Sequence, residues 1–282
     1  MRHFMSAEGK GHAIDEEEVG YYDTLANMGV PYFHWGGTRA TDDLMSLCEI
    51  NGNKKALVVG CGTGYSACYI ANKYGCRVVG IDIAPAMVAK AGQRAERMAL
   101  GDKVEFRLGD AQGLEFGDAT FDIVIAEFVT VFLDKERALR EYVRVTRPGG
   151  YVGVNEIHKS DDLSSTTREV FAEAEEAFEE ASGLPIKPLT ILGWRGLFEE
   201  AGLEDVKIQE IFDKIGWIEY SDAMGGWANT VKLILRVFWI MLSNGRMRRR
   251  FLKVNKLKAA YMRNRQTRDY AGAVLCVGCK PA

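Results

Sequence analysis

Between Lys55 and Asn155 the chain alternates five short apolar runs with longer stretches of helical periodicity, and no other feature restricts the fold as much. The runs occupy residues 56–59, 77–81, 104–108, 123–126 and 151–155, and four of them are rich in Val and Ile. Strands covered on both faces carry that composition, so the pattern predicts βα units around a largely parallel sheet. Helices are expected at 65–74, 85–99 and 134–145, the second with Pro85 in its first turn. Pro148-Gly149-Gly150 is read as a sharp break before the fifth run.

Further along, the rhythm changes. Residues 164–182 read as an acidic helix with six Glu and a Phe171/Phe178 stripe. Residues 194–201 read as another helix, 206–211 as a sixth strand and 271–279 as a seventh. Upstream, Thr38-x-x-Thr41-Asp42 reads as the cap of a helix over 42–48. Four parts follow: an N-terminal lid or helical segment (1–50), a core (51–157), an acidic helical insertion with a core helix (158–205), and the final strands (206–282) with a helical insertion at 213–270.

At 282 residues, with 47% hydrophobic and 27% charged residues, the chain has material for one domain and a cap, and disorder or a coiled coil is excluded. Its net charge of −3 hides a division. From Ala223 to Arg268 there are 12 Lys plus Arg and no acid, leaving 24 basic against 39 acidic residues elsewhere. The first eleven residues lack the apolar stretch of a secretory signal, which points to the cytoplasm. The longest uncharged apolar run, 237–242, is far short of the roughly 20 residues that span a bilayer. Six cysteines are too sparse for a disulfide scaffold. Cys276-x-x-Cys279 lies in a strand, where an offset of three puts the thiols on opposite faces, so no metal site is expected.

The most informative motif is Leu57-Val-Val-Gly60-Cys61-Gly62-Thr-Gly64, a strand entering a glycine turn and then a helix. Such a turn lets a ligand approach the backbone and offers it helix N-terminal N–H groups. The spacing is G-x-G-x-G, not the G-x-G-x-x-G of dinucleotide sites, and no P-loop lysine follows. Asp82 ends the second run, 22 residues after Gly60, where a carboxylate can accept both hydroxyls of a ribose. The plainer alternative for Asp82 is an N-cap of the helix near Pro85. Asp110 follows the third run, placed to accept from an exocyclic amine. Acceptors and anion binders after three adjacent strands describe a nucleoside with a short charged tail.

Val59-Gly-Cys-Gly-Thr-Gly64, Gly80-Ile-Asp82, Gly109-Asp-Ala111, Thr120-Phe-Asp-Ile-Val124 and Arg147-Pro-Gly-Gly150, in this order and spacing, resemble class I S-adenosylmethionine (SAM)-dependent methyltransferases. The likeness is to the small-molecule group that includes quinone, sterol and phosphoethanolamine methyltransferases, and it covers residues 57–156. It implies a Rossmann-like α/β fold, a seven-stranded mixed sheet whose last strand is antiparallel, with helical cap insertions. It also implies S-adenosyl-L-methionine as cofactor. Gly60, Cys61, Gly62 and Gly64 would pass along its methionine part. Asp82, with Ile83 and Met87 nearby, would hold the ribose, and Asp110, Ala111 and Gln112 would meet the adenine. Glu127 falls where such enzymes place a residue next to the sulfonium. One departure matters: many relatives carry an acid two residues before the first glycine, and here Val58 stands there. The partner of the cofactor's ammonium end is then to be sought in the N-terminal segment or at Glu127.

Tyr22, His34 and Trp35 would line a lid over the cofactor; the alternative is an N-terminal helix packed on the body. Methyl transfer is a direct displacement that needs alignment above all, and a base only for a protonated acceptor. Candidate bases are Glu127, Glu156 and His158, the last of which a solvated surface role would also explain. In the basic segment, 246–262 reads as an amphipathic helix with Met247, Phe251, Val254 and Tyr261 on one face. The preceding 231–242 is apolar nearly all round, which suggests burial in a cap or insertion into an interface. Three readings compete: a cap whose charges meet the glutamates of 164–182, a peripheral contact of 230–268 with an anionic membrane, and RNA binding, the last disfavoured because no RNA module is recognisable. The acceptor is expected to be a small, partly apolar molecule; a lipid or isoprenoid, or a SAM-binding protein without turnover, are the alternatives.

Overall fold

Successive side chains of a strand point to opposite faces, so the Val/Ile-rich runs demand cover on both sides of a sheet. The computed structural model describes residues 34–211, 226–262, 264, 267 and 269–282, and supplies that cover. Tyr22 lies outside the described residues. The strands are β1 (Lys55–Val59), β2 (Arg77–Asp82), β3 (Val104–Leu108), β4 (Phe121–Glu127), β5 (Thr146–Lys159), β6 (Glu204–Ile211) and β7 (Ala271–Cys279). They form one sheet in the order β3-β2-β1-β4-β5-β7-β6. β1 to β5 pair in parallel, and β7 lies antiparallel between β5 and β6. The chain winds outward from β1 to β3, then returns to β4 on the other side of β1. That reversal leaves a crevice at the C-terminal ends of β1 and β4.

Eight α-helices are described: α1 (Gly37–Leu47), α2 (Tyr65–Tyr74), α3 (Pro85–Arg97), α4 (Lys135–Val145), α5 (Ser165–Ser182), α6 (Ile191–Glu200), α7 (Trp227–Ser243) and α8 (Gly245–Met262). On one face of the sheet, Leu44 and Cys48 near α1, Ile70 of α2 and Ala91 of α3 pack on Val58, Val78, Ile123 and Ile125. On the other, Tyr142 of α4 and Trp194 and Phe198 of α6 pack on Leu57, Val124, Val152 and Val154. Cys276 packs with this second face, while its neighbours Leu275 and Val277 face the first, so Cys279 lies opposite it. Each large aliphatic side chain removed from water contributes about 1.5–3 kcal/mol, which makes these two layers the main source of stability.

The cap occupies a third position. α8 lies along α5, with Tyr261 against Phe171 at 4.7 Å between ring centroids and its hydroxyl donating to Glu175 at 2.6 Å. Lys253 pairs with Glu180. α7 and the start of α8 rest on α3, where Leu233 and Met247 bury Ala84 and Met87.

Two local expectations are corrected. The first helix starts at Gly37, not Asp42, after Gly36 in a left-handed conformation, and Thr41 is no cap. Its hydroxyl is buried and donates to Glu127 instead. Pro148-Gly149-Gly150 lies within β5 and does not precede it. A register shift opposite β4 absorbs the irregularity, and the Gly149 N–H donates to the Lys280 carbonyl beyond β7 at 2.8 Å. α7 is buried along one side only; its outer face is exposed.

Candidate functional site

β1 delivers the chain to the crevice, where three glycines adopt positive φ: +61° at Gly60, +52° at Gly62 and +78° at Gly64. Their spatial demands differ. A Cβ on Gly60 would come within 2.3 Å of the Val129 side chain, and one on Gly64 within 2.7 Å of Ala91. Gly62 has nothing within 4 Å of that position, so it faces open space. Gly60 and Gly64 therefore close the turn against its neighbours, and Gly62 leaves backbone bare toward a ligand. Cys61 is buried, and burial with Asp82 nearby pushes its thiol well up. Its N–H donates to the Ile81 carbonyl at 2.8 Å.

Asp82, at the end of β2, ties this turn to the next helix. One oxygen accepts from the Gly62 N–H at 2.8 Å and the other from the Ala84 N–H at 2.9 Å. The residue at the N-cap of α3 is Ala84, which makes no side-chain cap, so Asp82 braces the loop and leaves lone pairs for further donors. Burial raises its carboxyl above the ordinary value, opposed by these N–H groups. Ile83 is exposed beside it, while Met87 is buried under the cap. After β3, Asp110 accepts from the Gln112 N–H at 2.8 Å and Ala111 is buried in the sheet's second layer. The Gln112 side chain accepts from Asp134 N–H at 3.0 Å, linking this loop to the start of α4.

A buried polar cluster closes the other side of the crevice. Glu127, at the end of β4, accepts from Thr41 Oγ1 at 2.9 Å and lies 3.6 Å from His34 Nδ1. Asn155, opposite it in β5, donates from Nδ2 to the Trp35 carbonyl at 3.0 Å and lies 3.3 Å from His34 Nδ1. His34 Nε2 reaches Ser66 Oγ in the first turn of α2 at 3.4 Å. Two acceptor atoms in this cluster, Glu127 Oε2 and Asn155 Oδ1, are buried with no hydrogen-bond partner among the described residues. Immediately after Glu127, Phe128 adopts φ +58°, a conformation that costs a bulky residue about 1–3 kcal/mol and recurs at functional sites.

The three base candidates are not brought together. Glu127 and Asn155 lie on the α1 face, whereas Glu156 and His158 follow Val152 and Val154 on the α4 and α6 face. Glu156 is buried, and its Oε1 accepts from the N–H groups of Val129 and Thr130 at 2.9 and 2.6 Å. It thus holds the loop whose Val129 presses on Gly60. Burial pushes its carboxyl up to about 7, against the pull of those N–H groups and of Lys135. His158 is buried too, 4.0 Å from Glu210, with neither ring nitrogen hydrogen-bonded to any of the described residues. Burial lowers its pKa, and it packs against Gly272 of β7.

Asn155, Thr41, Ser66 and Val129 escaped the sequence reading as site residues. A polar residue closing the apolar run 151–155 is the signal that marks Asn155. Val58, where the family resemblance leads to the expectation of an acid, is buried in the core below the turn.

Residues 57–154 match the family model described as a methyltransferase domain. The chain is 32% identical to an uncharacterized protein of Haemophilus influenzae over 68% of this chain and 74% of that one. It is 28% identical to methyltransferase GfsG of Streptomyces halstedii over 74% and 81%. Among solved structures, the [4+2]-cyclase SpnF superposes with a TM-score of 0.69 at 20% identity, over 93% of this chain and 94% of that one. Geranyl diphosphate C-methyltransferase from Streptomyces coelicolor, in complex with geranyl diphosphate and S-adenosyl-L-homocysteine, superposes with 0.66 at 13% identity, over 97% and 100%. At those identities the two structures speak for the fold alone. The glycine turn and Asp82 lie inside the matched stretch, and the chain belongs to the class I SAM-dependent methyltransferases of the small-molecule group.

Proposed function

We propose that this methyltransferase acts on a small, partly apolar acceptor, and that Glu127 and Asn155 replace the acid missing at Val58. The observation that carries the second point is the pair of buried, unpartnered acceptors, Glu127 Oε2 and Asn155 Oδ1, beside the glycine turn. A buried acceptor without a donor costs about 1–3 kcal/mol. An ammonium group, with three N–H donors, relieves both at once. SAM supplies the electrophilic methyl on its sulfonium. Gly62 gives it bare backbone, Asp82 retains lone pairs for the ribose hydroxyls with Ile83 and Met87 alongside, and Asp110, Ala111 and Gln112 border the adenine.

In this reading Glu127 holds charge and orientation and takes no proton from the acceptor. Glu156 is a positioning residue: one oxygen of its carboxyl accepts from the loop N–H groups, and that loop sets the floor of the crevice through Val129 and Gly60. His158 is enclosed on the far face of the sheet and takes no part. Alignment of acceptor, methyl and sulfur then supplies the catalysis.

Calorimetric titration with S-adenosylhomocysteine and with 5′-methylthioadenosine, which lacks the amino-acid end, tests the assignment. Glu127→Gln should weaken S-adenosylhomocysteine by about 10- to 100-fold, as expected for loss of a charge-assisted hydrogen bond, and leave methylthioadenosine unchanged. Equal weakening of both ligands would refute it. A screen of partly apolar acceptors for S-adenosylhomocysteine production tests turnover.

A lipid or isoprenoid acceptor is the second reading. The exposed apolar helix α7, packed on α3 directly after Asp82, favours it. The geranyl diphosphate C-methyltransferase of like fold is named for an isoprenoid acceptor.

A further inference from the structure

Helix α7 has two apolar faces, and the body uses one. Leu233 is buried with Val237 and Ile240 partly so, against Ala84, Met87 and Met247. On the other side Val231, Ile234, Leu235, Phe238, Trp239 and Leu242 are each between 48 and 69% exposed. Their offsets of three and four place them on one stripe from Val231 to Leu242, about 17 Å along the helix at 1.5 Å per residue. A contiguous apolar ridge of that size on a water-soluble surface marks an interaction site. Arg248, Leu252 and Lys256, at successive offsets of four on α8, form an outward stripe in which Leu252 is 56% exposed between two cations. Arg249 is exposed beside them, and no acid occurs from Ala223 to Arg268.

We propose that the α7 ridge and the outward face of α8 form a docking surface for an anionic lipid bilayer, with α7 lying in the plane of the headgroups. Two physical facts favour this occupant. Lys232 and Arg236 interrupt α7, and no helix among the described residues is long and apolar enough to cross a membrane, so the helix lies on the interface and does not span it. A second copy of the chain would bring one acid-free basic segment against another, whereas phosphate headgroups neutralise it. Phe238 and Trp239 lie mid-ridge, where aromatic rings match the boundary between headgroups and acyl chains. The surface stands on this geometry and not on the identity of the acceptor.

The test is flotation of the full chain with vesicles of phosphatidylcholine alone and of phosphatidylcholine with phosphatidylglycerol. The protein should float with the anionic vesicles, less well with neutral ones, and less well as salt is raised. Phe238→Ser/Trp239→Ser should abolish flotation. Arg248→Ser/Arg249→Ser should weaken binding to anionic vesicles about thirtyfold, the value for two cations near such a surface, with little change on neutral ones. S-adenosylhomocysteine binding by both variants, measured in the same preparations, should match the parent; it separates loss of docking from loss of fold, and from failure of the methyl-donor site. A parent protein that stays at the bottom of the gradient with both vesicles would overturn the proposal. So would ridge variants that float like the parent, or a solution dimer that Phe238→Ser/Trp239→Ser dissolves, since that result assigns the ridge to a second copy.

Discussion

The sheet and the cap spend their large apolar side chains in opposite ways. In the sheet layers Trp194, Phe198, Tyr142 and Phe121 are fully buried, and the site's polar groups are braced by backbone N–H donors. In the cap Phe238 and Trp239 face outward, and among the basic side chains Lys253 pairs with Glu180 of the body. The polar groups of the crevice are therefore held by the fold itself, while the cap leaves an apolar ridge exposed. The matched methyltransferase domain ends at residue 154, well before the cap begins.

The contrast breaks most sharply at two tryptophans. Trp194→Ala should cost about 3–5 kcal/mol of unfolding free energy, as for a fully buried aromatic. Next comes the glycine turn. Gly60→Ala combines a left-handed conformation, about 1–2 kcal/mol, with overpacking against Val129, about 1–3 kcal/mol. Gly62→Ala carries the first cost alone, so denaturant titration should rank Gly60→Ala below Gly62→Ala. S-adenosylhomocysteine affinity should respond to Gly62→Ala beyond what stability explains.

The buried carboxyl of Glu156 gives a pH-dependent test. Its pKa in the folded chain, about 7, lies above that of a free glutamate, so the folded state holds the proton more tightly. Stability from this group is fully present below about pH 4.5 and declines as pH rises toward 7, by about 3 kcal/mol in total. Glu156→Gln removes the titration. The variant should therefore gain stability relative to the parent between pH 5 and pH 8, read from paired thermal melts; a constant difference would place the carboxyl in ordinary solvent. At the small end, Trp239→Ala should change stability by no more than about 0.5 kcal/mol, because the ring is exposed in the folded chain. A larger loss would show that the body covers the ridge, and the comparison of sheet with cap would fall.

Periodicity made much of the sheet legible. The 104–108 and 271–279 strands and the 65–74 helix coincide with β3, β7 and α2, since a strand and a helix write different repeats. The errors fall where a local signal had two uses. Thr41 looks like a cap in sequence and serves as a donor to Glu127, 86 residues away. Pro148-Gly149-Gly150 looks like a strand breaker, yet the C-terminal pairing of Lys280 carries the strand through it. Glu156 and His158 sit at the right strand end, but only strand register shows that they point away from Glu127.

The order of apolar runs, the glycine spacing and the acids after the second and third runs follow from sequence alone, because each is a local pattern with a local physical cause. Those patterns indicated βα units, a nucleoside with a short charged tail and a basic cap, and the family resemblance supplied the methyl donor. The tertiary structure decided which face each side chain takes and who its partners are. Glu127 met Asn155 and the His34 segment, Glu156 was committed to a loop, and α7 kept one apolar face bare. Those outcomes depend on contacts between residues far apart in the chain, and no local periodicity encodes them.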